Sequence, residues 1–162
     1  MEVKITGTKN PKEVDFLKKA YIYYAETLLS PSDLKDCQVE VALRVRGFGI
    51  SEKGKLLHDV KQDISVKQKH FRIMLLKGLG IIELLKILAH EMVHLKQALR
   101  GELSFVGTNG YNFVPYWKGV SVVEISYLAH ANYPWEKEAY SREVDLYESF
   151  MLTQVKPVTK GA

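Results

Sequence analysis

Residues 81–100 read IIELLKILAHEMVHLKQALR, and the pattern of this stretch decides the fold. Leu84, Leu85, Leu88, Met92, Leu95 and Leu99 recur at helical spacing and form a broad apolar stripe, so the segment is a helix that buries one face. Gly101 stands where a helix stop belongs. Inside the helix, His90-Glu91-Met92-Val93-His94 puts two imidazoles four residues apart. That spacing places both on one face, where they can converge on a single metal ion. Glu91 lies on the adjoining edge, within reach of a water on the metal without ligating it.

Zinc suits this pattern because it takes nitrogen and oxygen ligands in tetrahedral geometry, and three protein ligands leave one position for water. The metal makes hydroxide available near neutral pH and polarises a substrate carbonyl, and Glu91 would serve as general base. A chain with 5 His and 13 Glu in 162 residues matches the five-residue pattern by chance on the order of once in a hundred sequences. The helix around it makes chance a poorer account still, since buried polar groups are costly there unless they have partners.

Upstream, Asn10-Pro11 followed by Lys12 and Glu13 predicts a helix start. Val14, Leu17, Ala20, Tyr21, Tyr24 and Leu28 carry that helix to about Ser30-Pro31. Gln38 to Arg46 alternates, with Val39, Val41, Leu43 and Val45 on one face, and predicts a half-buried strand. Gly47-Phe48-Gly49 and Lys53-Gly54-Lys55 predict turns, with strands over Val60 to Lys67 and Phe71 to Leu76. Downstream, Leu103 to Val106 and Asn112 to Val123 read as short extended segments. Ser121 to Ala131 fits a helix equally well. Pro134 opens a final helix to about Thr153. The expected architecture is α+β: a small twisted, mainly antiparallel sheet against an N-terminal helix, the central helix and a C-terminal helix.

A length of 162 residues with 46% hydrophobic and 26% charged content suits a single domain over 1–155, with a flexible tail at 156–162. The net charge of +4 permits an anionic partner. The densest basic patch, Lys67, Lys69, His70 and Arg72, is nevertheless better read as the solvated end of a strand than as a phosphate track. One cysteine, Cys37, rules out an internal disulfide and a cysteine-rich zinc site. No signal peptide is apparent, and the charges within 81–99 bar that segment from a bilayer, so no membrane partner and a cytoplasmic location are expected.

The motif resembles that of zincin metallopeptidases. It is not the metzincin form, because the positions of that family's glycine and third histidine hold Gln97 and Arg100. Nor is it that of peptide deformylase, whose cysteine motif Cys37 does not match. Gluzincins take a glutamate from a later helix, and Pro134-Trp135-Glu136-Lys137-Glu138-Ala139-Tyr140 resembles their Glu-x-x-Ala-Asp motif, including the group related to the IrrE and ImmA regulators. The resemblance implies Glu136 as third ligand. Glu138, about 200° around the helix, is the competitor. Tyr140 replaces the family's aspartate, which usually supports a ligating histidine, and leaves that partner unassigned. In size and layout the chain is also similar to small SprT-like proteins, without their zinc-ribbon cysteines.

The resemblance implies a zinc-dependent metallopeptidase acting on a peptide or protein, with His90, His94 and Glu136 as ligands and Glu91 as catalytic base. The rival reading is a non-catalytic, zinc-stabilised regulatory or interaction module. A weaker third is association with nucleic acid. His130 is a substitute-ligand candidate better read as a cap or surface residue, and His58 and His70 lack ligand spacing. Tyr111, Tyr116, Tyr127, Tyr133 and Tyr140 are candidates for stabilising an oxyanion, but each is first a packing residue and none is assigned.

Overall fold

The computed structural model describes residues 2–47, 52–59, 69–108, 112–122 and 130–155. Asn10 caps the first helix, α1 (Pro11–Leu28), its side-chain oxygen accepting the Lys12 amide at 3.1 Å, and Pro11 occupies the first turn. The proline's missing N–H costs nothing there, and the asparagine satisfies an amide that has no partner within the helix. This helix links β1 (Val3–Thr6) to β2 (Cys37–Arg44), which lie side by side and parallel. A crossover helix is the usual way to join adjacent parallel strands.

β3 (Gly54–Asp59) and β4 (Lys69–Leu76) complete a four-stranded sheet in the order β1-β2-β4-β3. β2 and β4 are parallel, and only β3 runs antiparallel to its neighbour. The main sheet is therefore mixed, not mainly antiparallel. The reason is that β2 pairs in parallel on both sides, with β1 through the α1 crossover and with β4, which follows β3, and such pairings are set far along the chain. Lys53-Gly54-Lys55 leads directly into β3 instead of forming only a turn, while the strand expected over 60–67 lies outside the described residues.

The central helix, α2, spans Ile81–Leu99. Gly101 ends it in a left-handed conformation (φ 66°), with the Glu102 amide donating to the Gln97 carbonyl at 2.8 Å and the Gly101 amide to the Ala98 carbonyl at 3.2 Å. This paired closure needs positive φ, which glycine adopts without a Cβ penalty. A second sheet follows, antiparallel, of β5 (Leu103–Thr108), β6 (Asn112–Trp117) and β7 (Val120–Ser121). The alternative helix over Ser121 to Ala131 falls mostly outside the described residues. Its ends are the last residue of β7 and a 3-10 turn at His130–Asn132. The last helix, α3, spans Pro134–Gln154. Residues 156–162 also lie outside the described set.

The core sits between the sheet and the helices. Val39, Val41 and Leu43 of β2 and Phe71, Ile73 and Leu75 of β4 face Leu17, Tyr21 and Tyr24 of α1 and Leu84, Leu85, Leu88 and Met92 of α2. The buried Tyr24 hydroxyl donates to the Leu85 carbonyl at 3.2 Å, tying α1 to α2. Phe150 of α3 packs its ring 5.8 Å from that of Tyr24. These contacts anchor both α2 and α3 to α1, and His90 and Gln97 on the polar face of α2 meet Glu136 and the Trp135 carbonyl at the start of α3. On the sheet's other face Arg72 pairs with Glu40 at 3.0 Å and Thr6 donates to Glu40 at 2.6 Å. This part of the basic patch is balanced locally. Among the described residues no helix is long and apolar enough to cross a membrane.

Candidate metal centre

Two helices supply the site. His90 and His94 stand one turn apart on α2, and Glu136 is in the first turn of α3, directly opposite. His90 Nε2 is 3.1 Å from His94 Nε2 and 3.1 Å from Glu136 Oε2, and His94 Nε2 is 3.2 Å from Glu136 Oε1. Among the described residues this is the one group of His, Cys, Asp or Glu whose ligand atoms converge in this way. Glu138, the competing candidate, is turned aside: it bonds Lys96 and accepts from Gln97 Nε2 at 2.8 Å.

The outer ring nitrogens set the chemistry of the inner ones. His90 Nδ1 donates to Glu143 Oε2 at 2.7 Å, and His94 Nδ1 donates to Gln97 Oε1 at 2.8 Å. Both partners can only accept, so both Nδ1 atoms carry hydrogen and both Nε2 atoms turn toward the Glu136 carboxylate. Two imidazole nitrogens and a carboxylate facing one another need a positive species among them, either a proton or a metal cation. Tetrahedral zinc with bonds near 2.0–2.1 Å separates its ligand atoms by about 3.3 Å, close to the spacing found. The donor set fits the metal.

The electrostatics tell the same story. Burial by itself would lower the His90 pKa, but hydrogen bonds from its ring to Glu136 and Glu143, with the nearby charges of Glu91 and Glu136, push it up to about 9. His94 is likewise raised against the effect of its burial, chiefly by Glu136. Burial would raise Glu136, yet its bonds to the two histidines hold it down at about 2. A pocket that binds a proton this tightly has the charge pattern a divalent cation uses.

Glu91 is buried, and desolvation pushes its carboxyl up to about 7 against the opposing pull of His94 and His90. It lies against β3. A Cβ added to Gly54 would stand 2.8 Å from Glu91 Oε1 and 2.4 Å from Ile87 Cγ2, so only glycine lets this edge strand pass the carboxylate. Tyr140, half exposed, sets its ring edge-on to His90 with centroids 4.6 Å apart. Burial, then the charges of Glu136, Glu143 and Glu91, raise its phenol, which keeps it a protonated donor at the rim.

Glu143 and Gln97 are the partners of the outer histidine nitrogens that the motif left unassigned. Glu143 follows Glu136 by seven residues, two helical turns on one face, and that spacing was readable. Gln97 follows His94 by three residues, also on one face. Cys37 is half-buried at the start of β2, its thiol pushed up to about 11 by burial. It takes no part in the converging group. His70 stands on β4, away from the group, and the side chains of His58 and His130 lie outside the described set. Comparison with models of known protein families, with curated proteins and with solved structures finds no match to this chain.

Proposed function

We propose that this chain is a zinc-dependent peptidase of the zincin type, with His90, His94 and Glu136 as metal ligands and Glu91 as general base. The observation that carries the reading is the convergence of the two Nε2 atoms and the Glu136 carboxylate at 3.1–3.2 Å, with both outer nitrogens anchored by acceptors. When bound, zinc would supply a Lewis acid and lower the pKa of water toward neutrality.

The chain's own residues account for the proton traffic. Glu91, buried beside the converging group, takes a proton from water as its oxygen adds to the peptide carbonyl carbon. The same proton passes to the amide nitrogen as the C–N bond breaks, which leaves a carboxylic acid and an amine. Glu143 and Gln97 hold the histidine rings in orientation throughout. β3, the outer strand of its sheet beside Glu91, offers an edge along which an extended peptide could lie.

The test is metal analysis joined to hydrolysis of an unfolded protein such as casein. Purified chain is expected to hold about one zinc, consistent with a single three-ligand site. Activity should vanish on chelation and return with Zn2+. Activity that survives complete metal removal would sink the proposal. Gly54→Ala supplies a sharper probe of the Glu91 position. It should keep the metal but lower kcat by about tenfold or more, since a misplaced catalytic group costs rate without touching the ligands. Unchanged kcat would show that Glu91 tolerates displacement and does not act from where it stands.

A further inference from the structure

Lys96 is an ammonium where the packing of α2 would accept an apolar residue: its side chain is only 5% exposed. It bonds Glu138 on α3 and lies 2.8 Å from Glu102 Oε2, just beyond the Gly101 turn. Taking away one member of such a buried pair would leave the other charge uncompensated. The second oxygen of Glu138 accepts from Gln97 Nε2 at 2.8 Å, and that same amide nitrogen donates to the Trp135 carbonyl at 2.9 Å. Both amide hydrogens of Gln97 are therefore used. A flipped Gln97 would point its carbonyl at two acceptors, so Oε1 has to face His94 Nδ1.

We propose that Lys96 is a positioning residue for the metal centre, acting through Glu138 and Gln97 to lock His94 with its hydrogen on Nδ1 and its Nε2 lone pair toward the metal. The inference rests on the metal-binding reading above. The charge on buried Lys96, with the half-exposed Arg142 3.5 Å from the same oxygen, holds the Glu138 carboxylate, the carboxylate fixes the amide, and the amide fixes the imidazole. Glu102 touches Lys96 from the other side as an ion pair without hydrogen-bond geometry. Its side chain makes no contact with Gln97 or Glu138 among the interactions of the described residues. Glu102 therefore serves as an internal control: its loss should affect the fold but not the ligand.

The experiment measures Zn2+ affinity of the full chain by chelator competition. Lys96→Met, Glu138→Gln and Gln97→Leu should each weaken zinc about tenfold or more, the range typical of outer-shell partners. Lys96→Met combined with Gln97→Leu should lose no more than either alone, because the two act in one chain. Lys96→Arg should restore affinity. Glu102→Gln should lower thermal stability with zinc affinity unchanged. Near-isosteric Glu138→Gln keeps the test open if Lys96→Met does not fold. Wild-type affinity in folded Glu138→Gln or Lys96→Met, or additive losses in the double variant, would overturn the proposal alone. A wild-type chain that takes up no zinc would overturn the metal reading, and this proposal with it.

Discussion

Glu91→Gln is expected to keep about one zinc per chain and to lose peptide hydrolysis by roughly three orders of magnitude in kcat, within the range that general bases contribute. The glutamine fills the same space and can be held by the same neighbours, but it cannot accept a proton. The zinc ligands are untouched, since Glu91 is not one of the three converging groups. In the metal-free centre burial raises its carboxyl to about 7 against the pull of His94 and His90, and a bound cation would favour the ionised form that accepts a proton. The check is zinc content and hydrolysis rate measured on the same preparation. Full turnover in the variant would remove Glu91 from the chemistry. A wild-type chain that holds zinc yet cleaves nothing in a broad peptide library would favour the non-catalytic module instead.

Parts of the fold were legible for local reasons. The Asn10-Pro11 start, the α2 stripe, the Gly101 stop and the Pro134 start are each written in a few neighbouring residues, and the structure has α1, α2 and α3 beginning where those residues place them. The sheet was harder, because strand direction is set by partners far along the chain. β2 pairs in parallel with both β1 and β4, and neither pairing can be read from a strand's own alternation. The centre divides in the same way. His90 and His94 are visible because helical geometry alone brings them together. Glu136 needed a second helix docked in register, and only a resemblance could nominate it. Glu143 lay in plain view at seven residues from Glu136, but nothing local says that its face of α3 meets His90. Lys96 counted only among the charges of 81–99 and Glu138 as the competing ligand, and the pair they form across α2 and α3 depends on packing.

Glu136→Ala should weaken zinc binding by more than about a hundredfold, beyond the cost of losing an outer partner, because it removes one of three protein ligands. Glu143→Gln, which alters the acceptor of His90 Nδ1, and Glu138→Ala, which reaches His94 only through Gln97, should each cost about tenfold. The pH dependence should follow the same residue. In the metal-free fold His90 titrates at about 9, above its ordinary 6.5, because hydrogen bonds to Glu136 and Glu143 overcome its burial. A group raised in this way stabilises the fold fully below the unfolded value and loses that contribution as pH climbs through 9. Metal-free protein should therefore become less stable between pH 6.5 and 9. Zinc affinity should rise over the same interval, since the ion no longer has to displace the proton. In Glu136→Ala both trends should flatten, for one of the bonds that raised His90 is gone. Chelator competition and thermal unfolding of metal-free protein at pH 6.5 and 9 read the two trends side by side. Wild-type zinc affinity in Glu136→Ala, with the large loss appearing in Glu138→Ala, would transfer the ligand role to Glu138.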